Sequence, residues 1–85
     1  MGKPHSEGFV AQVVAVLERE RRRQGMSHER LAAAAGVHRS TVSRTERGLM
    51  TPTLLVVHKL AEALALSFPD VAAEAEAKIG RKRGG

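Results

Sequence analysis

Four residues in the middle of the chain have side chains suited to hydrogen bonding with a polar partner: Arg39, Ser40, Ser43 and Arg44. Residues three or four apart share one face of a helix, so this set would line a single side of it. An arginine guanidinium presents two donors that match the O6 and N7 acceptors of guanine in the major groove. A serine hydroxyl either donates or accepts. The expected chemistry is hydrogen bonding to base edges.

The composition of the 85-residue chain narrows the class of partner. Its 14 Lys and Arg against 9 Asp and Glu give a formal net charge of +5, which suits a polyanion. Two Phe, with no Trp or Tyr, offer no platform for stacking unpaired bases, so double-stranded DNA is favoured over single strands and RNA loops. No Cys is present, which excludes disulfides and thiolate metal sites.

The location of the protein is predicted from what the sequence lacks. No apolar run is long enough to cross a membrane, and the first eight residues lack the apolar core of a signal peptide. We therefore expect a cytoplasmic, nucleoid-associated protein with no membrane partner.

Apolar residues at helical spacing predict an all-α fold of five helices. Helix one ends before Gly25, and helix two begins at Ser27, whose hydroxyl can cap it. Helix two ends at Gly36, a residue type suited to a left-handed helix terminus. After a tight turn, helix three begins near Arg39 and closes at Gly48.

The second half of the chain is expected to hold two further helices. Thr51 and Pro52 have the types of an N-cap and a first helical residue for helix four. The apolar stripe of that helix is Leu54, Val57, Leu60, Ala61 and Leu64. Ser67, with Asp70 three residues later, resembles a capping box and begins helix five, which we expect to end near Ile79.

The domain boundaries follow from the same pattern. Residues 1–8 carry no periodicity and are predicted to be a flexible N-terminus. Residues 9–79 form the predicted helix-turn-helix DNA-binding domain. Residues 80–85 are a basic, glycine-terminated segment that we predict to be a flexible tail.

Two residue sets are expected to hold helices one to three together. Helices joined by so short a turn cross steeply, which requires a small residue, a glycine and a branched apolar residue at the contact. Ala32, Gly36 and Val42 meet these requirements. Arg21 and Glu46 each continue the apolar face of their own helix, so we predict that they form an ion pair between helices one and three.

The chain resembles the Cro/phage-repressor (Xre-like) helix-turn-helix family over about residues 10–75. The resemblance is carried by Arg21 and by the sequences of residues 25–32, 36–48, 51–54 and 60–64. It implies a compact, lambda-repressor-like domain in which helices two and three form the helix-turn-helix, and it supports the Arg21–Glu46 pair.

The resemblance also assigns roles to individual residues. Arg39, Ser40 and Arg44 correspond to base-contacting positions, with Ser43 adjacent to them. The phosphate-contacting candidates are His28, His38, Thr41 and Arg47, of which the resemblance bears only on His28.

Some positions depart from the family pattern. His28 stands where relatives usually have a phosphate-binding Gln, which suggests a pH dependence as well as the alternative of a surface residue without a role. Ala65 replaces a common Gly, so we expect an adjusted turn there. Leu49 and Met50 replace residues that are often basic or polar. Leu55 and Val56 add apolar surface to helix four and are a candidate dimer interface.

The favoured function is a homodimeric transcriptional regulator, a repressor that binds a palindromic operator. The alternative is an antitoxin or partner-controlled adaptor with the same fold, which would bind a toxin or another regulator as well as DNA. Non-specific nucleoid binding is supported only by the basic tail. The four histidines show no metal-ligand spacing and no nucleophile and carboxylate arrangement, so we expect no enzyme activity, no cofactor and no metal.

Overall fold

The computed structural model describes the backbone of residues 5–84 and the side chains of residues 7–80. It contains α1 (His5–Arg23), α2 (His28–Ala35), α3 (Arg39–Glu46), α4 (Leu54–Ala63) and α5 (Phe68–Gly84). No strand is present in the described range. The predicted all-α, five-helix fold is therefore confirmed.

The boundaries of α2 agree with the predicted capping residues. The N–H of Arg30 donates to the Ser27 hydroxyl at 3.0 Å, which satisfies one of the free amides of the first turn. Gly36 has φ +75° and ends the helix in the left-handed conformation that glycine adopts without steric cost. The amides of Gly36 and Val37 both donate to the carbonyl of Ala32, at 2.9 and 3.0 Å. These bonds fix the turn that leads into α3.

The start of α4 was placed two residues too early by the sequence. Thr53, and not Thr51, is the N-cap, because its extended backbone allows its hydroxyl to accept the N–H of Val56 at 3.1 Å. Leu54 is thus the first helical residue. It is 71% exposed and does not join the buried stripe, which begins at Val57.

Helical structure extends further at both ends than the apolar pattern predicted. α1 begins at His5 and α5 ends at Gly84. The two helices pack against each other, and a Cβ on Gly8 would lie 3.4 Å from Ile79 Cδ1. Such packing stabilises helical structure in the end segments, where the sequence shows no periodic apolar pattern. The remaining parts of the predicted flexible segments, residues 1–4 and 85, lie outside the described residues.

The core is formed by one apolar face from each helix. Its largest fully buried side chains are Val16, Leu31, Val42 and Leu64, which come from α1, α2, α3 and the end of α4. Val71 and Ala75 of α5 complete the cluster. Val42 is 1% exposed, so the recognition-helix candidate α3 is anchored by a buried side chain.

Polar contacts join the end of α1 to the turn between α4 and α5. Gln24 Nε2 donates to the Leu64 carbonyl at 2.8 Å and to Glu20 Oε2 at 3.0 Å. In that turn Ala65 adopts φ +61°. The sequence had suggested that the turn would be adjusted because it lacks the glycine. Instead, Ala65 itself takes the left-handed conformation, and the hydrogen bond from the Leu66 amide to the Ala61 carbonyl, 2.8 Å long, holds the turn.

Candidate nucleic-acid interface

The helix-turn-helix pair presents one side of α3 to solvent. Ala32 of α2 and Val42 of α3 are buried in the shared core, with Gly36 at the turn between their helices. Thr45 is also buried, at 3% exposure. The exposed side chains of α3 are Arg39, Ser40 and Arg44, followed by the exposed C-cap Arg47, while Thr41 and Ser43 are half-buried. The base-contact candidates thus lie on the outward side of α3, with Ser43 partly shielded.

Arginines on α1 and on α3 differ in how their charge is balanced. Each arginine of α1 pairs with a glutamate: Arg19 with Glu74, Arg21 with Glu46, Arg22 with Glu18 and Arg23 with Glu20. Among the residues with described side chains, no carboxylate forms an ion pair with Arg39, Arg44 or Arg47. Three positive charges without a carboxylate partner among the described residues therefore lie along α3 and its C-cap, where they attract a polyanion; Arg30 of α2 and Lys59 of α4 share this lack of a partner.

The structure brings Arg21 and Glu46 together in a two-pronged ion pair. Arg21 Nε and Nη2 donate to the two carboxylate oxygens of Glu46 at 2.7 and 2.9 Å, and the two side chains are 9% and 8% exposed. Arg21 Nη1 donates to the carbonyl of Met26 at 2.6 Å. The pair therefore fixes the C-terminal end of α3 against α1 and against the turn before α2.

The electrostatics of this pair keep both groups charged. Burial by itself raises the pKa of Glu46, but the hydrogen bonds from Arg21 and His28 outweigh it and hold the pKa of that carboxyl below its ordinary value. The same hydrogen bond from the guanidinium to Glu46 raises the pKa of Arg21. Glu46 is thus an anion at neutral pH, able only to accept hydrogen bonds.

His28 belongs to the same cluster, a contact that the sequence analysis missed. Its Nε2 lies 2.9 Å from Glu46 Oε1, and the side chain is 33% exposed. As the first residue of α2, it also stands where free backbone amides favour an anion. The signal in the sequence was a histidine one residue after an N-cap, but whether it reaches Glu46 depends on how α2 crosses α3.

The remaining phosphate-contact candidates lie around the exposed side of α3. His38 is the N-cap of α3, with extended backbone and no side-chain capping bond, and it is exposed. Thr41 is half-buried in the first turn, and Arg47 is the exposed C-cap. All three thus border the base-contact candidates.

Exposed apolar side chains cluster in sequence after α3. We name Leu49, Met50, Leu54 and Leu55 the apolar patch; the three leucines are 63%, 71% and 63% exposed in chain order. Val56, which the sequence grouped with Leu55, is half-buried and packs against the core. The exposed surface of early α4 is therefore provided by Leu54 and Leu55.

Two searches of the described residues bear on other classes of function. No three His, Asp or Glu side chains among them lie close enough to hold a metal ion. None of the described helices is both long and apolar enough to span a membrane.

Comparison with known proteins gives consistent matches. The sequence model of the family described as Helix-turn-helix matches residues 17–71, from the middle of α1 into α5. An uncharacterized HTH-type transcriptional regulator of Methanothermobacter thermautotrophicus is 41% identical over 49 residues, covering 56% of this chain and 71% of that protein. No solved structure matches significantly.

Two bacterial proteins give similar matches. The uncharacterized HTH-type transcriptional regulator YgzD of Bacillus subtilis is 39% identical over 51 residues, which cover 60% of this chain and 77% of YgzD. The uncharacterized HTH-type transcriptional regulator y4dJ of Sinorhizobium fredii is 34% identical over 53 residues, 62% of this chain and 69% of y4dJ.

Proposed function

This chain belongs to the helix-turn-helix family, and from that premise we propose that it is a transcriptional repressor that binds a palindromic DNA operator as a homodimer. Its relatives are named as transcriptional regulators, which supports the regulatory role. The observation that carries the proposal is the outward side of α3, where three arginines lack a carboxylate partner among the described residues.

We assign base recognition to the outward side of α3. An α-helix fits the major groove of B-DNA, and its N-terminal residues reach the base edges. Arg39 and Arg44 would each pair with guanine through two donors, and Ser40 would adapt to either type of base edge. Ser43 is half-buried, so its contact with a base would be less direct than those of the exposed residues.

Backbone contacts would set the position of α3 in the groove. These contacts would come from the free amides at the start of α2 and the ring of His28, together with His38, Thr41 and Arg47 at the two ends and the first turn of α3. Contacts of this kind go to phosphate oxygens and fix register without reading sequence. The Arg21–Glu46 pair would hold the two helices in the spacing that both sets of contacts require.

A second copy of the chain is the proposed occupant of the apolar patch. A two-fold operator needs recognition helices about 34 Å apart, one turn of DNA, which a dimer supplies. Leu54 and Leu55 stand exposed at the start of α4, and burial of such side chains favours association. Bound over a promoter, the dimer would repress by occlusion.

The same patch favours one alternative function, an antitoxin or adaptor that uses it to bind a different protein. In that alternative the exposed side of α3 still binds DNA, and a different protein instead of a second copy of the chain covers the apolar patch. A protein that stays monomeric at concentrations where it binds DNA would support this alternative.

The test is selection from a random pool of duplex DNA at near-physiological salt, followed by sequencing of the retained fraction. We expect a palindrome with half-sites about ten base pairs apart. The control is Arg22→Ala, which removes an exposed arginine of α1 that pairs with Glu18, and should select the same motif. Enrichment of no motif, or the same motif for Arg39→Ala, would contradict base reading by α3.

A further inference from the structure

The two ring nitrogens of His28 lie in different surroundings. Nε2 is 2.9 Å from the carboxylate oxygen Oε1 of Glu46. Nδ1 forms no hydrogen bond with the described residues, and it is not among the polar atoms enclosed by the fold. One nitrogen therefore points into the Arg21–Glu46 pair, while the other remains open to solvent at the start of α2.

Glu46 decides which nitrogen of the neutral ring carries the proton. A carboxylate only accepts hydrogen bonds, so the nitrogen that faces it must be the donor. In the neutral ring only one nitrogen bears a proton. With that proton on Nε2, the open Nδ1 presents a lone pair.

A phosphate beside this Nδ1 meets different groups in the two protonation states. The neutral ring would place the lone pair of Nδ1 against a phosphate oxygen. Both atoms can only accept hydrogen bonds, so no bond forms between them. The protonated ring keeps its bond to Glu46 and presents an Nδ1–H donor with a positive charge, a strong partner for phosphate. A hydrogen bond from Nδ1 to phosphate thus requires the ring to be protonated, and a ring that is neutral in the free protein takes up that proton when DNA binds.

The charged groups around the ring are few. Glu46 faces it from α3, Arg21 of α1 lies behind Glu46, and Glu29 follows it on α2. From α4, which also packs on α2, no charged side chain pairs with the ring among the described residues. The hydrogen bonds from Arg21 and His28 lower the pKa of Glu46 against the effect of burial, so the carboxylate accepts from Nε2 whether the ring is neutral or protonated.

We infer that His28 couples DNA binding to proton uptake: its Nδ1 binds a DNA phosphate only when the ring is protonated, because Glu46 holds the neutral ring in the wrong tautomer. This inference rests on the proposed DNA-binding function. Its consequence is a protein that binds its operator more tightly as the pH falls. His38 provides a contrast, since no carboxylate of the described residues bonds to its ring, and its neutral ring can therefore still donate to phosphate.

The experiment measures the affinity of the full chain for its selected duplex from about pH 5.5 to about pH 8, the range of histidine titration. We expect the dissociation constant to rise with pH, by at most about tenfold per unit for each proton taken up. Calorimetry in two buffers of different ionisation enthalpy counts those protons directly, and we expect up to about one per protomer.

Two variants assign the effect to one ring. His28→Gln keeps an amide donor that does not titrate, so binding should lose its pH dependence while remaining measurable at both ends of the range. His58→Gln, at an exposed position of α4 outside the proposed interface, should retain the slope of the unchanged protein. A slope that survives in His28→Gln, or an unchanged protein that binds duplex without proton uptake, would overturn the inference and leave the proposed function intact. Absence of duplex binding at every pH would overturn both.

Discussion

The guanidinium of Arg21 and the carboxylate of Glu46 form two parallel hydrogen bonds, 2.7 and 2.9 Å long, between α1 and the C-terminal end of α3. Arg21 also donates to the Met26 carbonyl at 2.6 Å, so one side chain connects α1, α3 and the turn before α2. Because both charges are almost fully buried, each depends on the other for the interactions that water would otherwise provide.

Arg21→Ala is expected to destabilise the fold by about 3–5 kcal/mol, because it leaves the Glu46 carboxylate buried without its main partner. Urea denaturation followed by circular dichroism measures the loss. The matched control is Arg22→Ala, whose side chain is 68% exposed and pairs within its own helix, with an expected change below about 0.5 kcal/mol. Equal stability of the two variants would contradict the role of the pair.

Acid is expected to destabilise the protein through its paired glutamates. Hydrogen bonds from Arg23 and Gln24 lower the pKa of Glu20 from 4.5 to about 2, and the hydrogen bond from Arg19 lowers the pKa of Glu74. A folded-state pKa below the unfolded value gives stability that is present above about pH 4.5 and is lost as the pH falls towards about 2. The urea midpoint should therefore fall through that window.

The variant Glu20→Gln tests the assignment of this acid loss. It should be less stable than the unchanged protein at neutral pH and should lose less stability between about pH 4.5 and about pH 2. Glu62→Gln, at an exposed position whose carboxylate lies 3.8 Å from His58 Nδ1, is the control and should follow the unchanged protein. Parallel curves for all three proteins would show that Glu20 contributes nothing to the acid response.

Ala65→Gly is expected to stabilise the protein by about 0.5–1 kcal/mol. A left-handed conformation costs an L-residue roughly 1–2 kcal/mol, which the substitution removes. The unfolded chain gains conformational entropy with glycine, and this offsets about half of that gain in stability. Gly25→Ala is the reverse control: that glycine has φ +70° with open space around its missing Cβ, so only backbone strain should lower the stability. Thermal unfolding compares the two, and a melting temperature lowered by Ala65→Gly would argue against strain at this turn.

The arginines of α3 are expected to separate into base and phosphate contacts. Arg39→Ala and Arg44→Ala should each cost about 1–3 kcal/mol of binding and relax the preference at one base pair. Arg47→Ala should weaken all sequences alike and reduce the salt dependence of binding. Fluorescence anisotropy with the selected duplex and its single-base variants distinguishes the two patterns. Uniform losses for all three would assign every one of them to the phosphate backbone.

Leu55→Glu is expected to weaken the proposed dimer, since it would place a charge in the apolar patch that a second copy is proposed to cover. Sedimentation equilibrium should show a higher monomer fraction, and Leu54→Glu should act in the same direction. Ala15→Glu, at an exposed position of α1, is the control and should leave the oligomeric state unchanged. If the Leu55 variant assembles like the unchanged protein, the apolar patch is not the surface on which two copies meet.

Local sequence predicted much of the fold and the candidate site. Ser27 and Gly36 bound α2 because a capping hydroxyl and a left-handed glycine act within one turn of chain. Arg21 and Glu46 were paired from sequence because each continues the buried face of its own helix, so both had to meet inside the same core. The exposed side of α3 followed from the single buried stripe around Val42.

Only the tertiary structure decided contacts between helices and choices between equivalent local signals. The ring of His28 reaches Glu46 because of the angle at which α2 meets α3, a relation that residues 18 positions apart do not encode through periodicity. Thr51 and Thr53 carry the same capping hydroxyl, and the path of the chain selected the second. Ala65 took a left-handed conformation that its type disfavours because the packing of α4 and α5 fixes that turn. Periodicity and the types of residue able to cap a helix are set within a few residues. The contact of His28 with Glu46, the choice between two equivalent caps and the strain at Ala65 depend on where the folded chain places distant groups.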